Sequence, residues 1–482
     1  MIVSVFSLLK NKYLVNSAIY MAGSVLSQAL SFLVLPIFTR YLTLDDYGIL
    51  NYTNSIMTFL LILSKLSLNG FVIRHYFELK SEKQRKELFG TIFLFLFIIN
   101  IGFLFLEFLT FPYLLRRFSI QIPFHPYFKI ALLINFLEII PIIPEAYYRV
   151  TQKAWGYFWL TSVRAVLGIG LGLILVIGYN MGIMGRYYGN LYINLIFLVI
   201  CTGIVFNVSK FSFNASTIRK GLGFSLPLIP GAIALVAIVS ADKIILERYV
   251  PLSHIGIYSV GVTLGSALSI IVRGFFLAIE PEVYAAFNQK GFDKKIIRAK
   301  NNFLGFILCL GCLIIVFSRE IVMLAASGKF YESYTIIPFF VIGTIFRGAE
   351  ILAGRTLVAL NKTLYQPLII GAAFLVNIIG NLVFIPFMGI RGAALASTGS
   401  CILWFLFSIY VTNKFVNIQW NCLRDTFLIG ISCGASLLVM QIQLEATLPT
   451  LLMKIFLGLP ISLIAFYCFL RENQVAMRGH QT

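Results

Sequence analysis

The chain has 482 residues, 59% of them hydrophobic and 12% charged, with a mean hydropathy of +0.91. Apolar runs such as 88–111, 160–179 and 303–317 are too long and too frequent for a water-soluble core, so a soluble globular protein is excluded. The net charge of +19 does not indicate nucleic acid, because the basic residues lie in short segments between apolar runs and no basic, aromatic-studded domain is present.

The chain opens with a short apolar stretch, Ile2–Leu9, before Lys10 and Lys12. It lacks a small-residue cleavage pattern and reads as an interfacial segment rather than a leader. Spans follow near 15–38, 47–72, 88–111, 128–148, 157–179 and 187–208. A polar, basic stretch at 209–221 reads as a cytoplasmic linker. Six further spans fall near 224–247, 253–279, 302–326, 334–358, 364–387 and 390–412, and two more near 426–443 and 450–470.

An internal repeat organises these spans. Arg40-Tyr-Leu-Thr-Leu-Asp-Asp-Tyr-Gly-Ile49 returns as Arg248-Tyr-Val-Pro-Leu-Ser-His-Ile-Gly-Ile257, an offset of 208 (248 − 40). Met181-Gly-Ile-Met-Gly185 returns as Met388-Gly-Ile-Arg-Gly392, an offset of 207 (388 − 181). Two matches at nearly one offset indicate tandem repeats. Six spans per repeat is even, so both repeats enter the membrane in the same sense, related by a pseudo-two-fold along the membrane normal. The expected fold is an all-α polytopic membrane protein with an N-lobe at 1–208, the linker at 209–221 and a C-lobe at 222–412. A C-terminal pair of helices and a tail occupy 413–482.

Lys and Arg set the expected orientation. With the N-terminus inside, 22 basic residues fall in cytoplasmic segments and only eight outside: Arg40, Arg116, Arg117, Arg186, Arg248, Arg319, Lys329 and Arg391. Both termini are expected in the cytoplasm. A basic inner face of this kind also suits anionic phospholipids.

No catalytic set is visible. The four histidines are scattered, and neither a Gly-rich phosphate loop nor a nucleophile elbow appears. Cys309-Leu-Gly-Cys312 has no second pair and no nearby His, so the cysteines read as small apolar filler and no metal site is expected. No outer loop is long enough to fold by itself, which counts against a membrane glycan polymerase or glycosyltransferase.

Charges inside spans are the informative exceptions, since each costs at least about 2.5–3.5 kcal/mol at mid-bilayer unless it faces water or a partner. Lys65, Glu138, Glu145, Arg164, Asp242, Lys243, Arg273, Arg347, Glu350 and Arg355 are of this kind. The repeat relates Lys65 to Arg273 (65 + 208) and Glu138 to Arg347 (138 + 209). Two cations at equivalent positions of facing lobes would repel unless an anion sat between them, so Lys65, Arg273, Arg164 and Arg347 are the candidate substrate-binding cations. Asp242 and Glu138 are candidates to relay a proton or sodium ion, with structural pairing the alternative. Arg347–Glu350 and Lys243–Glu247 have the spacing of intrahelical pairs. Pro36, Pro227 and Pro230 are candidate hinges, because proline interrupts a helix.

The residues also carry a family pattern. Asn16, Tyr20-x-x-Gly23, Gln28, Pro36-Ile-x-Thr-Arg-Tyr-Leu42, Asp46-Tyr-Gly48 and Arg74-His-Tyr76 resemble the opening of the bacterial polysaccharide transporters, the O-antigen flippases of the multidrug/oligosaccharidyl-lipid/polysaccharide (MOP) superfamily. In the second half Gly223-Phe-Ser-Leu-Pro227-Leu-Ile-Pro230, Ser240-Ala-Asp242-Lys243, Gly256-Ile-Tyr258-Ser259, Pro281-x-x-Tyr284 and Gly389-Ile-Arg-Gly-Ala-Ala-Leu-Ala396 agree. The resemblance covers about residues 13–412. It implies a two-lobed fold shared with multidrug exporters of the MATE type. It further implies carriage of an undecaprenyl-pyrophosphate-linked oligosaccharide from the cytoplasmic to the outer leaflet of the bacterial inner membrane, in lipopolysaccharide biosynthesis. Other polysaccharide-assembly membrane proteins are the expected neighbours, with no bound cofactor. A cation-coupled drug exporter of the same superfamily is the alternative, and it would favour an acidic cavity over a cationic one.

Overall fold

The computed structural model describes residues 12–118, 120–276, 292–416, 421–442 and 448–478, and these are helical throughout apart from their turns. The Ile2–Leu9 segment, the Pro281-x-x-Tyr284 motif and Lys290 lie outside the described residues. Twelve helical stretches among the described residues are long and apolar enough to cross a membrane. The chain is therefore a multi-pass membrane protein. It forms two compact units, 1–236 and 237–482.

The two repeated phrases have structural meanings. The first is a helix start. Thr43 caps the helix Leu44–Lys65, its hydroxyl accepting from the Asp46 amide (3.1 Å) while the Asp46 carboxylate accepts from the Thr43 amide (3.0 Å). In the repeat, Pro251 precedes the start of Leu252–Gly265. The second phrase is a reversal. Gly182 and Gly389 both have positive φ, +51° and +55°, a region open to glycine without steric penalty. Beyond each, a second glycine presses onto the preceding helix: a Cβ on Gly185 would lie 2.8 Å from the Val176 amide, and one on Gly392 would lie 2.3 Å from the Phe384 carbonyl.

The stretch Tyr365–Asn413 consequently doubles back at Gly389 and makes two passes, as expected from spans 364–387 and 390–412. Asn377 bonding Ser397 (3.4 Å) and Ser400 (3.5 Å) ties its two arms together. In the first unit Gly189 sits directly on Gly172 of the helix Ala154–Leu173, the close approach that Gly168-x-x-x-Gly172 allows.

Segment 209–214 is pinned to the first unit. The Lys210 amide donates to the Lys86 carbonyl (2.9 Å), Lys210 pairs with Glu87 (3.3 Å), and Thr91 donates to the Ser212 carbonyl (2.8 Å). The helix Ala215–Ser225 then packs its Gly221 on Leu68 and Phe71.

In the second unit the last two helices, Cys422–Met440 and Leu448–Arg478, pack against Phe292–Val316, with Gly458 on Val316 and Gly305 on Phe466 and Phe469. Large apolar side chains, including Phe105, Leu109, Val199, Phe387 and Phe456, point outward, as lipid contact requires.

Candidate functional site

The fourth span of the first unit is not one helix. Lys129–Leu137 stops at Glu138, a turn follows through Pro141, and Ile142–Val150 resumes. Pro141 and Pro144 cannot donate to the helical ladder, which accounts for the break. The break places the Glu138 carboxylate beside Ala154–Leu173, where Arg164 Nη2 donates to it at 3.0 Å. Arg164 Nε donates to Asn194 Oδ1 at 3.0 Å, and Asn194 donates to the Asn190 carbonyl at 2.8 Å. Three membrane segments are thus joined by one polar chain.

Two cavities flank this chain. One, of about 320 Å³, is lined by Asn54, Asn135, Glu138, Arg186, Tyr187 and Asn190 among others. The second, of about 250 Å³, is lined by Glu138, Thr161, Arg164, Asn190 and Asn194. Glu138 and Asn190 face both. The ion pair keeps some contact with open space, with side chains 37% (Glu138) and 19% (Arg164) exposed.

The remaining sequence candidates fall as follows. Lys65 closes the helix Leu44–Lys65, just before Leu66 and Ser67 take left-handed backbone (φ 48° and 53°). It is partly buried, with Glu145 as its electrostatic neighbour. Arg273 lies as many residues beyond Leu252 as Lys65 lies beyond Leu44, but its helix breaks earlier, at 266–267, so Arg273 stands on the following stretch, 268–276, and is exposed. Pro36 sits in the first turn of Leu35–Tyr41, Pro227 in the 3-10 turn Leu226–Leu228 and Pro230 at the start of Ile229–Leu246. Each marks a helix discontinuity.

Asp242 is buried in the second unit. It accepts a short hydrogen bond from the Tyr258 hydroxyl and another from the Lys243 amide (2.7 Å). The Lys243 ammonium lies 3.7 Å from Asp242 and donates to the Val239 carbonyl at 3.3 Å. Lys243 thus has the adjacent Asp242 as a near carboxylate. Tyr258 also neighbours Ser397, which accepts from Asn377, and Asn377 in turn accepts from Asn381 (3.0 Å). Arg347 and Glu350 form the within-helix pair their spacing suggests (3.0 Å), with the guanidinium 3.5 Å from the Trp404 ring centroid and Ser408 on the other Glu350 oxygen (3.4 Å). Arg164 and Arg347 thus each have a carboxylate partner within their own unit.

Three basic residues escaped the sequence reading: Lys300, Arg186 and Lys454, the last buried beside Glu320 at 2.5 Å. Lys300, counted there as a loop cation, is buried against Asp425 at 2.5 Å. Arg186, counted as an outer-loop residue, lies inside the helix Gly182–Val208 and lines the larger cavity. The signal for Arg186 was present: the Met181-Gly-Ile phrase begins a helix, so a residue four positions beyond Gly182 is within it.

Residues 13–281 match the model of the family described as polysaccharide biosynthesis protein. A curated relative, "Lsg locus putative protein 1" of Haemophilus influenzae, is 23% identical over 288 residues, covering 57% of this chain and 67% of that protein. Among solved structures, the lipid II flippase MurJ in an inward closed conformation superposes with a TM-score of 0.71 at 16% identity, over 95% of this chain and 99% of that one. A point mutant of the Vibrio cholerae MATE transporter VcmN gives 0.57 at 16% identity, over 87% and 99%. The fold is the one these transporters share, and the sequence pattern read at the chain's opening agrees with the family match: the chain belongs to the polysaccharide biosynthesis protein family.

Proposed function

We propose that the chain is a flippase of the MOP superfamily, moving a polyprenyl-pyrophosphate-linked oligosaccharide from the cytoplasmic to the outer leaflet of the bacterial cytoplasmic membrane. The observation that carries this reading is the coincidence of polysaccharide-family membership with a fold shared by a lipid II flippase. Alternating access of two lobes, with both termini in the cytoplasm, is the mechanism in keeping with the tandem repeat. Lys65 and Arg273, at repeat-related positions, grip the pyrophosphate. Charge-assisted hydrogen bonds to phosphate strengthen where water is scarce. Arg164 and Arg347, each held by a carboxylate, shape the polar path rather than supply free charge.

Asp242 is the stronger candidate for coupling to a proton or sodium gradient, because it is buried and heads a chain of hydroxyl and carboxamide groups through Tyr258, Ser397 and Asn377. Glu138, between two cavities, is the second. The drug-exporter reading draws on the MATE likeness. One experiment separates the two. Deleting the gene should make a lipid-linked oligosaccharide accumulate on the cytoplasmic leaflet. Unchanged lipid-linked glycan with increased sensitivity to toxic compounds would favour export of drugs instead.

A further inference from the structure

The charge that the ion pair leaves over is Arg186. Glu138 is engaged by Arg164, so the walls of the larger cavity carry one guanidinium with no carboxylate on it among the described residues. The Arg186 side chain packs over the Phe38 ring, with its guanidinium carbon 5.0 Å from the centroid, and beside Gly172, where a Cβ would lie 3.6 Å from Nη1. Its other electrostatic neighbour is the Tyr47 hydroxyl. Nη1 is shut off from solvent without a hydrogen-bond acceptor. An aromatic face offsets part of a buried cation's desolvation but does not accept its N–H groups in the plane of the fork. A buried donor left unmade is costly. Nη1 is closed to the cavity as well, so a ligand oxygen there would meet the guanidinium through its other N–H groups.

The rest of the cavity states what that ligand carries. At about 320 Å³ it exceeds what a single water or a simple inorganic anion needs and is of the size of a small-molecule pocket. Its polar lining is largely carboxamide, from Asn54, Asn135 and Asn190, and its apolar walls are aliphatic, from Leu50, Met57, Leu61, Ala131 and Ile134, with the Tyr187 ring. Carboxamides offer donor and acceptor side by side, which suits the hydroxyls of a polyol. Only Arg186 offers an unmatched charge, and that charge is positive.

We infer that the first unit holds a subsite for an anionic sugar: a polyol whose hydroxyls meet Asn54, Asn135 and Asn190 while its carboxylate or phosphate meets Arg186. The source of the sugar rests on the proposed function, as one unit of the transported glycan. The subsite itself does not need transport to be measured.

Titration calorimetry of the purified protein in detergent, with glucuronate, glucose 1-phosphate, glucose and inorganic phosphate at millimolar concentration, tests it. Glucuronate and glucose 1-phosphate should bind, and glucose should give no heat. Binding of glucuronate without inorganic phosphate assigns the anion to the sugar's carboxylate. Binding of the two phosphate probes alone assigns it to a sugar phosphate. Arg186→Gln should weaken binding about tenfold or more, as loss of a charge-assisted pair does, and Arg186→Lys by less. Thr58→Leu narrows the cavity while leaving the charge in place, and should weaken binding even if Arg186→Gln fails to fold. Equal binding by wild type and both cavity variants, or no binding of any anion by wild type, would overturn the subsite. Binding intact in a protein that moves no lipid-linked glycan would overturn the transport reading alone.

Discussion

In the first unit Glu138 and Arg164 meet at 3.0 Å between two cavities, both partly exposed, and Arg186 lines one of these with no carboxylate on it among the described residues. In the second unit Arg347, which the repeat relates to Glu138, stays 34% exposed in its pair with Glu350, while other charges are closed off. Lys300 and Asp425 are almost wholly buried at 2.5 Å, Lys454 reaches Glu320 at 2.5 Å, and Asp242 is enclosed by Tyr258 and Lys243. The repeat makes the two halves alike in backbone and leaves them unlike in how they hold charge. Ions kept open to a cavity are free to exchange a protein partner for a ligand, while ions sealed between helices fix the helices in place. The open charges of the first unit leave room for a ligand, and the sealed pairs of the second hold its helices together.

The sharpest way to break this comparison is at the sealed pairs. Asp425→Asn should lower stability by about 3–5 kcal/mol, because it strands a buried ammonium, and unfolding in detergent followed by helix signal would measure it. A paired Lys300→Met/Asp425→Leu replacement should recover most of that loss, since two apolar side chains leave no charge behind. If Asp425→Asn alone were neutral, the pair would not be the anchor described. Next in size is the reversal at Gly389. Gly392→Ala would place a Cβ 2.3 Å from the Phe384 carbonyl and should cost about 1–3 kcal/mol by overpacking. Gly399→Ala, with nothing within 4 Å of the added carbon, should change the melting temperature little.

The open ion pair should respond least. Glu138→Gln should lower stability by about 1 kcal/mol or less, because solvent screens a partly exposed pair. Its effect on export should exceed its effect on abundance, and the Glu138→Gln/Arg164→Gln double variant should depart from the sum of the singles. Additive losses would mean the two side chains do not act as one unit.

Most of the fold was legible because the features that set it are local. The Thr43 cap, the left-handed glycines 182 and 389 and the paired prolines each announce a helix end by residue type, and the repeat supplies the register twice. Charge placement was less legible. Counting Lys and Arg by loop treats each as solvated, and so it misplaced Arg186 and Lys300, whose surroundings come from helices far away in sequence: Phe38 for one and Asp425 for the other. The same limit applied to Glu138. Sequence symmetry related it to Arg347, but its partner is Arg164, across a proline break whose direction spacing alone does not give.

The proposed transport of a lipid-linked glycan, with Lys65 and Arg273 on its pyrophosphate, is measurable in proteoliposomes. A polyprenyl-pyrophosphate oligosaccharide would be placed in one leaflet and its arrival in the other read by an impermeant glycosidase. Transfer should proceed in the wild type and fall steeply in Lys65→Ala and Arg273→Ala, by less in Lys65→Arg and Arg273→Lys, and non-additively in the double alanine variant. Wild-type transfer by the Lys65→Ala/Arg273→Ala protein, at equal reconstituted amounts, would contradict it.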